Sequence, residues 1–386
     1  MPKVSVTIEN EIIEWVLRQT NEEMLDDKLM SNINQWLAGK KTPTFNQIED
    51  FSKKSNVPLG YFFLKTPPKE NLDLLEYRTV DSVELANPSR NLIDTIYEME
   101  QIQNWMKGYR KETGYSELPI VGSLKNSNDV FEIAKRIRED IEISDDWYSN
   151  CTTIGDAFHY IRSHLEESGI IVMVNGIVGK NTHRPLNVNE FRAFALIDDW
   201  APLIFINNVD SQRAKLFSLF HEITHIWLGE NDLYNDNYRA KDIKPIENIC
   251  NAVASELVVP IKKFIVEWNK RKDSDKRIII TELARIFMCS EVVVARKAFD
   301  NSFISREMYN NVVDDAMKAY RESREHNQST GGNYYNTMGT KLDGKFVKAL
   351  CESVKIGRTT LSEAYRLTNT SRKTFSEVAG RLGGII

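Results

Sequence analysis

The chain has 386 residues, 41% of them hydrophobic and 27% charged, with a formal net charge of −5. That length suits two or three soluble domains, and no run approaches the roughly 18 apolar residues of a membrane span. The acidic residues inside the opening "MPKVSVTIENEIIEWVL" argue against a secretory leader, and four scattered cysteines without a C-x-x-C pair suggest neither a disulfide framework nor a cysteine zinc site, so a reducing cytoplasm is expected.

Residues 1–65 read as a unit of short helices. Gly39 and Pro43 punctuate it, Thr44 is placed to cap the next helix with Gln47 completing a capping box, and Ile48 and Phe51 share that helix's inner face. Residues 66–120 open on the proline-containing linker "TPPKENLDL". They continue as a helix over 90–113, with Leu92, Ile96, Met99, Ile102 and Met106 near one face. Residues 121–304 should hold helices near 128–141 and 154–168, then the β-branched "GIIVMV" at 169–174. A hairpin follows in "FRAFALI" and "PLIFIN" around "DDWA", then a helix starting near Ser211 and another over about 245–259. Residues 305–386 are helical, interrupted by the polar connector "NQSTGGNYYNTMG" before a last helical piece at about 341–383. Residues 261–386 are net basic and the remainder net acidic. This fits mutual attraction, an acidic partner such as nucleic acid, or two ordinary solvated surfaces.

The chemistry concentrates in "HEITHIWLGE", residues 221–230. His221 and His225 lie four apart, about 40° round a helix, so both imidazoles can reach one zinc ion. Glu222, about 100° round from His221, can reach a water beside that ion and take its proton without ligating. The surrounding "AKLFSLFHEITHIWL" is apolar, and burying two histidines and a glutamate there is costly unless a metal satisfies them. A third ligand is needed. The helix "PIENICNAVASELVVP" offers Glu247 and Glu256, nine residues apart and therefore on opposite faces. Glu247 is the choice, because Asn251 follows on its face and can orient a ligand imidazole from behind, while Ala252, Ala254 and Ser255 allow close helix approach. Glu256 then reads as a solvated or internally paired carboxylate. For a group polarising the substrate carbonyl, His183, Arg192, Tyr234 and Tyr238 remain equal candidates.

With these residues in place, the chain resembles the ImmA/IrrE family of bacterial zinc metallopeptidases over roughly residues 66–310. The resemblance lies in "LEYRTV" at 75–80, in "FRAFALIDDWAPLIFINNVDSQRAKLFSLFHEITHIWLGE", and in "IENICNAVASELVVP". Cys250 stands where the family usually has Ala, and Val253 where it has Phe. The family implies Glu247 as third ligand and draws attention to Arg78, which also suits a structural ion pair. Residues 31–64 resemble the helix-turn-helix of XRE-type regulators, although the acidic stretch 9–27 makes a poor DNA footprint.

The expected fold is therefore α+β and mostly helical: a zincin-like minimal metallopeptidase core with a small antiparallel sheet, between N-terminal helix-turn-helix-like helices and a C-terminal helical region. The expected function is a cytoplasmic zinc endopeptidase cleaving a helix-turn-helix repressor or antitoxin-like regulator encoded nearby. An extended substrate would add as a strand to the hairpin before the motif helix. The alternative is a DNA- or protein-binding regulatory module with a structural or proteolytically silent metal site. The intact Glu222 argues against it, since a structural site has no need of a base.

Overall fold

The computed structural model describes residues 4–20, 25–68, 88–230, 232–234, 245–326 and 340–384. The "LEYRTV" segment, Arg78, Tyr238, most of the linker and the connector 327–339 lie outside the described residues. At the N-terminus, α1 (Asn10–Gln19), α2 (Asp27–Leu37) and α3 (Phe45–Ser55) bury Ile13, Ile33, Trp36 and Phe51 in a small core of their own, closed by Phe62. The start of α3 forms as its sequence suggests: Gln47 Oε1 accepts from Thr44 N at 2.9 Å and from Thr44 Oγ1 at 3.0 Å.

The centre of the molecule is a four-stranded sheet in the order β1 (Ile171–Asn175), β3 (Leu203–Asn207), β2 (Ala193–Leu196), β4 (Asp232–Tyr234). β2 and β3 make the expected antiparallel hairpin, with Leu196 opposite Leu203. Its turn is tightened by Asp198, whose carboxylate accepts from Trp200 N at 2.9 Å and Ala201 N at 3.0 Å. β4 adds antiparallel to β2, whereas β1 pairs parallel with β3. The sheet is thus mixed rather than wholly antiparallel. Two chain reversals separate β1 from β3, and β1 lies beside β3 instead of β2, so the two run the same way.

Strands β1 to β3 are buried almost throughout, as expected of strands covered on both faces. Their side chains divide by the two-residue period of a strand. Val172, Val174, Ala195, Ile204 and Ile206 join one core, and Ile171, Met173, Phe194, Leu203 and Phe205 the other. The second core is closed by α4 (Arg90–Glu112), whose Leu92, Ile96, Met99, Ile102 and Met106 are buried as their spacing requires. Helices α13 (Gly344–Lys355), α14 (Leu361–Leu367) and α15 (Arg372–Arg381) complete it. The first core lies among α5 (Val130–Asp140), α6 (Ile154–Ser168), α7 (Gln212–Leu228) and α8 (Pro245–Val258). It is extended by α9 (Ile261–Asn269), α10 (Lys276–Ile286), α11 (Glu291–Asp300) and the first two turns of α12 (Arg306–His326). No helix among the described residues is long and apolar enough to cross a membrane.

The outer edge of β1 is covered at Val172. Val172 N donates to Asp343 Oδ2 at 2.9 Å, and Arg162 Nη2 donates to Val172 O at 2.8 Å, so two side chains take the place of a further strand. The hairpin strands β2 and β3 both lie inside the sheet. This overturns the expectation that the hairpin itself receives an extended peptide, because every edge of β2 and β3 is already paired. The sheet ends on its other side at β4.

Candidate metal centre

After β3 the chain turns at Asn208–Asp210 and enters α7 at Ser211, whose Oγ accepts from Ala214 N at 3.2 Å. The far end is closed by Gly229 in the left-handed conformation, with φ 70°. The last turn of carbonyls is met by a neighbouring loop: Gly122 N donates to Ile226 O and Leu124 N to Trp227 O, each at 2.9 Å. A Cβ on Gly229 would stand 2.9 Å from Gly122 Cα, so the backbones can approach there only because residue 229 is glycine. Between these ends α7 is buried on nearly all sides, pressed between the sheet and α8. Its histidines and glutamate therefore leave water along with its leucines and phenylalanines: His221, Glu222 and His225 are all fully buried.

Helix α8 brings Glu247 against them. One Glu247 carboxylate oxygen lies 3.2 Å from His221 Nε2 and the other 3.2 Å from His225 Nε2, while the two Nε2 atoms are 3.1 Å apart. The donor edges of a tetrahedral zinc with ligands at about 2.0–2.1 Å measure about 3.3 Å, so each side of the triangle made by the two imidazoles and the carboxylate, which offers a different oxygen to each ring, is close in length to such an edge. Its chemistry fits as well. Asn251 Oδ1, 3.1 Å from His221 Nδ1, can only accept and so favours a proton on that nitrogen, and Cys250 Sγ, 3.8 Å from His225 Nδ1, is placed to accept one there. Both Nε2 lone pairs then point into the triangle. A proton could bridge one pair of these donors; a divalent cation satisfies all three. Burial pushes the His221 imidazole down, toward the neutral form that ligates. His225 is pulled down by burial but further up by Cys250 and Glu247, with a net rise. A cation among the same atoms acts in the opposite sense.

His221, His225 and Cys250 also form a group whose candidate ligand atoms lie within 4.8 Å of one another. Glu247 is nevertheless the better third donor, because its oxygens face both Nε2 atoms, whereas Cys250 Sγ meets His225 at Nδ1, on the other side of the ring. Glu256 turns away. Its carboxylate receives Lys297 Nζ at 2.7 Å and Ile261 N at 3.1 and 3.2 Å, which is the internally paired alternative.

Of the candidates for polarising a carbonyl, the side chains of Arg192 and His183 are among the described residues. Arg192 Nη1 is held by Asp210 Oδ2 at 2.5 Å, across the turn that feeds α7. His183 is exposed, with its backbone N–H on Asn181 Oδ1 at 3.0 Å. Tyr234 pairs through its backbone opposite Ala193 in β4. Sequence reasoning missed the Cys250 contact. The signal lies in the helix period, since residues three and four beyond Glu247, Cys250 and Asn251, share its side of the cylinder.

Residues 165–299 match the family profile of the peptidase family M78 domain described as IrrE N-terminal-like, a span that contains the sheet strands, α7 and α8. Residues 342–381, which comprise α13 to α15, match a domain of unknown function (DUF8813). No curated protein and no solved structure matches the chain. Over its central third the chain is thus similar to a peptidase domain, and that similar segment carries every donor of the candidate centre.

Proposed function

We propose that the chain is a zinc-dependent endopeptidase, in which His221, His225 and Glu247 hold the ion and Glu222 is the general base. The convergence of two imidazole nitrogens and one carboxylate at 3.1–3.2 Å carries this reading, and the similarity of residues 165–299 to a peptidase domain supports it. Bound zinc would act as a Lewis acid, making a water acidic near neutral pH and polarising the scissile carbonyl. Glu222 is placed next to His221 but about 100° round the helix. Its carboxylate takes the proton of the attacking water and delivers it to the departing amine. Asn251 accepts from His221 Nδ1–H and so keeps the Nε2 lone pair directed at the centre. The surrounding apolar core excludes bulk water and strengthens each of these interactions. A peptide that adds as a strand would do so at β4, the edge left by the side-chain cover on β1.

The substrate proposed from the ImmA/IrrE resemblance is a helix-turn-helix repressor or antitoxin-like protein in the same cytoplasm. Glu222→Gln keeps the side chain's size while removing the proton acceptor. The variant should retain zinc and cut a co-expressed repressor candidate at least about 10²–10⁴-fold more slowly than wild type. Intact-mass analysis reads the products. Equal cleavage by both zinc-loaded proteins would remove Glu222 as base, and binding without cleavage by either would favour a non-proteolytic regulatory module.

A further inference from the structure

We infer that Cys250 is a positioning residue of the metal centre, its sulfur holding the His225 ring from the side away from the ion. The inference rests on the proposed zinc site and adds a residue to it. Its basis is a symmetry in how α8 meets α7. Glu247, Cys250 and Asn251 project from α8 within an arc of about 100°. Glu247 meets both Nε2 atoms, Asn251 meets the Nδ1 of His221, and Cys250 meets the Nδ1 of His225. One helix thus supplies a ligand and, from two consecutive residues, a partner for the back of each imidazole.

An imidazole that ligates through Nε2 carries its proton on Nδ1, and that N–H needs an acceptor when it is buried. His225 is fully buried, and the Cys250 sulfur, 3.8 Å from its Nδ1, is the group placed to accept that proton. Sulfur accepts weakly. Its contact orients the ring and selects the ligating tautomer less firmly than Asn251 does at 3.1 Å. The two histidines are therefore unequal ligands, with His225 the looser. Cys250 is itself fully buried, so it acts by contact within the core and not as a thiol open to solvent.

The competing geometry is a sulfur that ligates the ion directly, and cobalt separates the two. The full-length chain is stripped with a chelator and titrated with Co²⁺ against a chromophoric competitor, and its electronic spectrum is recorded. The wild type should bind cobalt without a sulfur-to-cobalt charge-transfer band. Cys250→Val, which fills the space but accepts no hydrogen bond, should lower cobalt affinity about tenfold, the low end for a lost outer partner. Cys250→Ser, which restores an acceptor, should recover most of that loss. Thermal melting of each metal-free variant reports folding separately. A charge-transfer band in the wild type that vanishes in Cys250→Val would make Cys250 a ligand and overturn the inference. Affinity equal to wild type in a folded Cys250→Val would reduce it to packing. Failure of the wild type itself to bind cobalt would overturn the zinc-site reading first, and this inference with it.

Discussion

Helix α8 carries a buried carboxylate near each end, and the two ends resolve the same electrostatic problem differently. At the C-terminal end Glu256 meets opposite charge and backbone donors: Lys297 Nζ at 2.7 Å and the first N–H of α9 at 3.1 and 3.2 Å. Arg138 Nη2 adds a bond to the Glu256 carbonyl at 2.5 Å. Burial pushes the Lys297 amine down and Glu256 pulls it back up. At the N-terminal end Glu247 meets two imidazole nitrogens that are themselves electron-pair donors. The first cluster is complete within the protein. The second collects donors of one kind, and in the proposed reading a metal cation supplies the charge that would complete it. A buried carboxylate is thus no signal of a site by itself; the sign of its neighbours is what separates a structural pair from a ligand.

Three experiments would break or sharpen this contrast. The largest effect is expected at Glu247. Glu247→Gln keeps the shape of the side chain but removes the charge, and zinc per chain after dialysis should fall from about one to near zero by elemental analysis. Full zinc occupancy in that variant would place the ligand elsewhere. At the other end of α8, Lys297→Met leaves Glu256 buried without its ammonium. Urea unfolding should show a loss of about 3–5 kcal/mol, the usual cost of breaking a buried pair, while zinc per chain in the folded protein stays unchanged. If zinc is lost as well, the two ends are not independent.

The third effect is smaller and concerns a carboxylate that has neither solution in full. Glu98 lies where α4 meets the loop after β1, beside Gly179, Asn369 and Arg184, and is pushed up to about 7 by burial and by Asp94. The folded chain then keeps a proton on Glu98 between the ordinary carboxylate value of 4.5 and about 7, while the unfolded chain has lost it. Stability contributed by this group is therefore full at acid pH and falls as pH rises through that window, by at most about 3 kcal/mol. Glu98→Gln should flatten this part of the stability-against-pH curve and leave the acid end near wild type. A slope that persists in Glu98→Gln would assign the titration to another buried acid such as Glu166, which is also pushed up to about 7, by burial and by Asp343.

Much of this architecture was legible because local rules agreed with the global fold. The helix expected over 154–168 takes those bounds, closed by Gly169 in the left-handed conformation. Ser211 starts α7, and the "DDWA" turn joins β2 to β3, as their residue types require. What local rules could not supply was strand order. "GIIVMV" is apolar throughout, so it carries no alternation that reveals its neighbours, and its parallel pairing with β3 follows from where α6 delivers the chain. The cover on β1 was equally hidden, since Asp343 and Arg162 are remote in sequence from each other and look like ordinary charged residues until they meet at Val172.

For the candidate centre, the sequence by itself determined which groups could take part. The spacing of His221, Glu222 and His225 sets their angles round one helix, and the apolar neighbours require that helix to be buried. It also determined that Glu247 and Glu256 face opposite ways. Only the tertiary structure decided which of those faces meets the histidines. It showed that Glu256 is taken by Lys297, 41 residues later, and that Cys250 lies behind His225. Angles about one helix axis follow from a fixed residue increment and can be read from a string of letters. The azimuth of one helix against another depends on how whole side-chain surfaces fit together, and that is settled only when α7, α8 and the sheet close on one another.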